Sequence, residues 1–302
     1  MATVVTMTPL AFNLDTVLRG WQLSPFPLSV LAALLVIAYW YLRADWQLAL
    51  RGRKWRTRRT ASFTVGLLMI DLALQSPIDS LTMSYFQAHV VQHLLLMVVA
   101  PPMLAMGAPM TLALQSSSRR TKELLLNILN SRAFKLLTHP LTVWFLYYVS
   151  MYAFYLTGAL GYSMNHMMVM DLVNVGFFGA STLFWWPIVG TDPIPHWKMG
   201  YGTRLISLMI GIPIESFLGL TLLGERNPAA SMYSVASTHS GGGLLWVGAE
   251  LFTMLAMIPV FVQWMRAEER KSVRDDAIND RVASELSGGI HDPRALTPVP
   301  WL

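Results

Sequence analysis

YFQAHVVQHLLLMVVAPPMLAMGA, residues 85–108, runs for 24 positions without an Asp, Glu, Lys or Arg. At about 1.5 Å per residue, a helix of that length crosses the roughly 30 Å hydrocarbon core of a bilayer. Apolar runs of comparable length recur on either side, near 27–43, 61–77, 139–158, 166–189, 203–223 and 243–265. The composition agrees: 54% of residues are hydrophobic and 13% charged, against roughly 25% charged in soluble domains. The charges gather in short blocks between the runs, which argues against a greasy soluble enzyme. The expected fold class is all-α: a polytopic membrane protein built as a seven-transmembrane-helix bundle.

The loops give the direction. Arg51, Arg53, Lys54, Arg56, Arg58 and Arg59 lie between spans one and two. Arg119, Arg120, Lys122, Arg132 and Lys135 lie between three and four, and Lys198 and Arg204 flank the loop between five and six. Arg266, Arg270, Lys271 and Arg274 follow the seventh span. The alternate loops, near 78–84 and 159–165, have no Lys or Arg, and that near 224–242 has only Arg226. The positive-inside rule then puts the N-terminus outside and the C-terminus in the cytoplasm of a bacterial plasma (inner) membrane. Residues 1–26 read as an extracytoplasmic arm: Arg19 is their one basic residue, and Pro9 and Pro25 interrupt any signal-peptide core. Residues 27–265 form the membrane domain, and 266–302 a charged cytoplasmic tail with a short amphipathic helix and a disordered end. The net charge of +5 sits beside the spans, as topology determinants and anionic-lipid contacts do, so no nucleic acid is expected. No internal repeat points to an inverted-repeat transporter.

Ionisable groups within a bilayer are costly and mark function. Here Asp71, His89, His93, Asp171, Glu215 and Glu250 all fall in the outer parts of their spans, within about 5–12 Å of the outer surface by helical rise. The pattern predicts a polar chamber open to the outside. His89, His93 and Met97 recur every fourth residue and share a helix face. Two imidazoles one turn apart can share a metal, and a deeper thioether suits Cu(I). Gln92 would orient an imidazole or close the opposite face. The bland alternative has both histidines hydrogen-bonded to Asp71 or Glu250. Pro101 and Pro102 should break or kink the helix below.

A second cluster, Met164-Asn165-His166-Met167-Met168-Val169-Met170-Asp171, opens span five. The chain has no cysteine, which excludes disulfides and thiolate zinc sites but leaves His, Met and carboxylate as ligands. His166, Met167 and Met170 are therefore candidate copper ligands, although methionine also serves as core filler. His239, before span seven, could complete a site with either cluster. His139, His196 and His291 read as structural or incidental. Trp185-Trp186-Pro187 reads as an inner interfacial belt and helix end. Gly241, Gly242 and Gly243 permit a tight turn or close helix approach. All five lysines lie outside the spans, which removes the Schiff-base donor a retinal protein needs. A haem protein lacks a clear second histidine helix, and a copper permease or copper-tolerance protein would need polar groups continuing inward.

Taken together, His89-Val-Val-Gln92-His93-Leu-Leu-Leu-Met97 and its continuation Ala100-Pro101-Pro102-Met-Leu-Ala-Met-Gly107-Ala-Pro109 resemble the signature of the CtaG family of cytochrome c oxidase assembly factors. The resemblance extends through Phe154-Tyr155-Leu-Thr-Gly158, Leu183-Phe184-Trp185-Trp186-Pro187, Gly190-Thr-Asp192-Pro193, Phe217-Leu-Gly219 and Gly241-Gly-Gly-Leu-Leu-Trp246-Val-Gly248-Ala-Glu250. It is nearest to the actinobacterial branch, where such domains are often joined to a copper-transport-like one. It implies a non-enzymatic helper in biogenesis of a haem–copper oxidase that delivers or protects copper on the extracytoplasmic side. Its implied partners are cytochrome c oxidase subunits, a periplasmic or surface copper donor and membrane lipid. His89 and His93 match the family pattern. Further family histidines fall near positions held here by Met170, Asn174, Gly176 and Glu215, and its Asp-Gln-Gln element corresponds to Ser237-Thr238-His239, which implies a rearranged ligand set.

Overall fold

The computed structural model describes residues 20–192, 197 and 199–290, with side chains to Glu285. The arm up to Arg19, His196, Lys198 and the end of the tail from His291 lie outside the described residues. Among the described residues there are helices and connections but no strands.

Helix α1 (Pro25–Leu50) is followed by α2 (Thr57–Gln75) and the short α3 (Pro77–Thr82). Next come α4 (Phe86–Leu94), a π-helical turn (Leu95–Val99), α5 (Ala100–Met106) and α6 (Pro109–Ser116). Two helices outside the apolar runs, α7 (Arg119–Leu129) and α8 (Arg132–Leu137), lead to α9 (Pro140–Trp144), a second π turn (Phe145–Val149) and α10 (Ser150–Leu156). The chain ends in α11 (Ala159–Met164), α12 (Met167–Val189), α13 (Tyr201–Gly224) and α14 (Val235–Ile290). Prolines open α1, α3, α6 and α9, where the first backbone N–H groups would lack partners in any case. Ser76, Ser118 and Ser131 cap the helices that follow them.

Among the described residues, five stretches are long and apolar enough to cross a membrane: Pro25–Leu50, Phe86–Ser116, Met167–Val189, Tyr201–Gly224 and Val235–Glu285. The helical segments at 57–75 and 140–156 occupy the two remaining predicted positions; the first carries Arg58, Arg59 and Asp71. In Phe86–Ser116, 67% of the apolar window is buried, against 17–33% in the other four. That stretch is the axis on which the others pack.

The prolines in this axis do not break it. Neither Pro101 nor Pro102 has an N–H to give the Met97 carbonyl, so the chain widens into a π turn. Trp185 Nε1 donates to the freed Met97 oxygen at 2.8 Å. Trp185 is 1% exposed, so it belongs to the core and not to an interfacial belt. The bend comes later, at Ala108, which adopts a left-handed conformation with φ 53°. Tyr41 stacks on Phe63 at 4.0 Å and donates its hydroxyl to the Gly107 carbonyl at 2.7 Å, which pins α1 to the turn.

Close approach explains the glycines of α14. A Cβ on Gly242 would sit 2.6 Å from the Leu223 backbone nitrogen, and one on Gly219 would sit 2.7 Å from the Trp246 Cβ. Gly248 meets Leu94 in the same way, at 2.7 Å. Helix α14 therefore lies directly on α13 and α4. The tail is no separate helix: α14 continues unbroken to Ile290, and every side chain from Glu268 to Glu285 is exposed.

Candidate metal site on the central helix

Helix α4 carries His89 and His93 one turn apart, and both are buried, at 0% and 1% exposure. Their ring centroids are 4.3 Å apart. Aromatic rings from their own helix and from α10 and α12 surround them. Phe86 and Phe154 stack on His89 at 6.2 and 5.8 Å, and Phe177 meets His93 edge-on at 5.1 Å. Tyr155 shares a 2.6 Å hydrogen bond with His93 Nδ1. Both nitrogens of His89 and Nε2 of His93 have no hydrogen-bond partner. When His93 Nδ1–H donates to Tyr155, its Nε2 keeps a free lone pair, the arrangement that orients an imidazole ligand.

The expected hydrogen bonds to Asp71 or Glu250 are not formed. Glu250 accepts from Ser216 Oγ, and from Trp246 Nε1 at 2.6 Å. Buried Glu215 accepts from Tyr147 at 3.4 Å and Thr253 at 3.2 Å. These two acids form their own hydroxyl- and indole-bonded pair between α13 and α14. Asp71 is half-buried on α2, with Oδ1 unpartnered. Gln92 does not touch an imidazole: it donates to the Ala73 carbonyl at 3.0 Å and to Asp79 Oδ1 at 2.6 Å. Met97 is buried one turn below the histidines.

Of the six ionisable residues expected to line one polar chamber, only Asp171 borders a cavity of about 540 Å³ beside the central helix. Asp79, Gln92, Met164, Met167, Met170, Asp171 and Asn174 are among the residues that line it. Asp79, which the loop reading passed over, takes the place assigned to Asp71. Burial pushes its carboxyl up to about 6; the Gln92 hydrogen bond opposes this and the charge of Asp171 adds to it. The signal for Asp79 was present: Ser76, Pro77 and Asp79 form a helix start, with an acid in the first turn. Asn174 is 5% exposed, borders the cavity, and faces His93 as a polar neighbour without the geometry of a formed hydrogen bond at its Oδ1. The histidines are thus behind the cavity wall instead of lining it.

The remaining candidates lie apart. His166 is exposed, stacked on Tyr162 at 4.2 Å, with Nδ1 2.8 Å from the Tyr162 carbonyl. His239 Nε2 is 2.7 Å from the Glu225 carbonyl. Neither joins the pair on α4. Ser237, from the start of α14, accepts from the Phe86 amide at 2.9 Å and so fixes the N-terminal end of the histidine helix. Among the described residues, no three or more His, Asp or Glu side chains are grouped to hold a metal ion. The nitrogen donors that the structure brings together are two imidazoles, fewer than zinc's usual four-coordinate site takes.

Helices long and apolar enough to cross a membrane, together with a buried histidine pair on the central one, mark the chain as an all-helical protein of the membrane class. The family described as cytochrome c oxidase caa3 assembly factor (Caa3_CtaG) matches residues 39–267, and the chain belongs to it. It is 26% identical to an uncharacterized protein of Mycobacterium bovis over 290 residues, covering 89% of this chain and 43% of the relative. An uncharacterized protein of Mycobacterium tuberculosis shows the same identity and coverage. One from Mycobacterium leprae is 24% identical over 278 residues, covering 86% and 42%. The chain thus spans less than half the length of these relatives. No solved structure matches it.

Proposed function

We propose that this chain assists assembly of a cytochrome c oxidase from the outer face of a bacterial plasma membrane, where His89 and His93 hold copper for transfer to an oxidase subunit. The reading has residues 27–265 spanning the bilayer seven times, the arm 1–26 outside and the tail 266–302 in the cytoplasm. Copper is cargo here, received from an extracytoplasmic donor, and the chain performs no catalysis of its own. One observation carries the proposal: three imidazole nitrogens are buried without hydrogen-bond partners. Each such group costs about 1–3 kcal/mol if nothing ever pairs with it. A Cu(I) ion between the two rings would pair one nitrogen of each and so relieve two of the three, and the aromatic cage excludes competing water.

The test is complementation of a deletion strain under copper limitation. Wild-type protein should restore oxidase activity and subunit copper, and His89→Ala/His93→Ala should restore neither while reaching the membrane in normal amount. Full oxidase activity in the deletion strain removes the assembly role. Full rescue by the double variant removes the histidines from it.

A further inference from the structure

Helix α12 presents Met167, Met170, Asp171 and Asn174 at positions i, i+3, i+4 and i+7, which fall on one face. All four line the outer cavity. They descend: Met167 is 78% exposed at the mouth, and Asn174 is 5% exposed beside His93. The drop is about 10 Å by helical rise. Asp79 of α3 and Met164 of α11 complete the walls. Tyr233 holds Met164, its hydroxyl 3.7 Å from the sulfur.

We propose that this cavity is a vestibule where thioethers and carboxylates capture a soft monovalent cation of the Cu(I) class and pass it, by way of Asn174, to the histidine pair. The proposal rests on the copper reading above and adds the place and chemistry of capture. Thioethers are ligands for soft ions and contribute little to Ca²⁺ or Mg²⁺. Two carboxylates attract a cation and repel anions. Met167 does not serve as packing, since it projects from the surface, and Met170, half-buried against the core, borders the cavity as well. Asn174 Oδ1, buried and unpartnered, is the polar atom between the two sites. Transfer is ligand exchange: each new bond to the ion replaces an old one, and no electron moves.

The test uses the full chain in detergent, offered Cu(I) from a coloured chelator, with capture rate, final occupancy and sulfur scattering in X-ray absorption as readouts. Met167→Leu/Met170→Leu keeps volume and should fold. It should capture at least about tenfold more slowly, a barrier change of about 1.4 kcal/mol. Asp171→Asn should slow capture in the same sense. His89→Ala/His93→Ala should retain a weaker copper with sulfur neighbours. An unchanged rate in both vestibule variants, with occupancy still dependent on the histidines, overturns the vestibule and leaves the histidine site standing. Full occupancy in the histidine variant, lost in the methionine variant, supports the vestibule and overturns the histidine site. No copper on the wild type overturns both, and equal capture of Mn²⁺ overturns the preference for a soft ion.

Discussion

Asp79 is held in place by Gln92 at 2.6 Å and faces Asp171. Its carboxyl is raised to about 6 by burial first, and by the Asp171 charge. The folded protein therefore binds this proton more tightly than the unfolded chain, whose carboxyl titrates near 4. The resulting stability is fully present below about pH 4 and is lost as pH rises through 6. Asp79→Asn keeps an oxygen for Gln92 and removes the ionisation. It should match the wild type at pH 4 and exceed it at pH 8, by on the order of 1–2 kcal/mol after discounting for the water-facing side of the group. Thermal unfolding in detergent across that range checks this, and parallel curves would show that Asp79 is not the group responsible. The histidines were legible as an i, i+4 pair, because helical spacing alone puts them on one face. Their cage was not: Phe154, Tyr155 and Phe177 lie more than 60 positions along the chain, and nothing local says which ring faces which.

Among the elements, the long apolar runs were readable because length against bilayer thickness is a strong constraint. The π turn was not, since it follows from two missing N–H groups and a distant indole. Trp185→Phe removes the donor to the Met97 carbonyl and leaves that oxygen buried and unpaired, at a cost of about 1–3 kcal/mol. Adding Pro102→Ala returns a backbone N–H one π turn away and should recover part of the loss. Unfolding midpoints of the single and double variants give the answer. A double variant no better than Trp185→Phe alone would place the cost in lost indole packing instead. The break expected at Pro101-Pro102 did not occur for the same physical reason: the helix continues through a π turn.

For the molecule, direction in the membrane rests on which loops hold Lys and Arg, a signal that needs no contact to be read. Because the chain has no cysteine, single cysteines report it cleanly. Ser231→Cys should react with an impermeant maleimide in intact cells. Ser118→Cys and Ser272→Cys should react only after permeabilisation; all three positions are exposed. The opposite pattern would put the histidine end of the molecule on the cytoplasmic side. What the loops could not reveal was the separation of the acids into two places, Asp79 with Asp171 and Glu215 with Glu250. A shared depth does not fix the angle at which each helix presents its side chain.

Helix α14 contains Pro259, whose ring removes the hydrogen bond to the Leu255 carbonyl. Above it the helix is clamped through Gly242 and Gly248; just past it Val260 is buried and Gln263 donates to the Val189 carbonyl at 3.2 Å, and from Glu268 to Glu285 the side chains are exposed. The missing rung thus lies inside the packed stretch and not at its edge. A push on the exposed arm reaches the core as a load on Val260 and Gln263, one turn past the gap, so the proline acts as a little give in the shaft and not as a free joint.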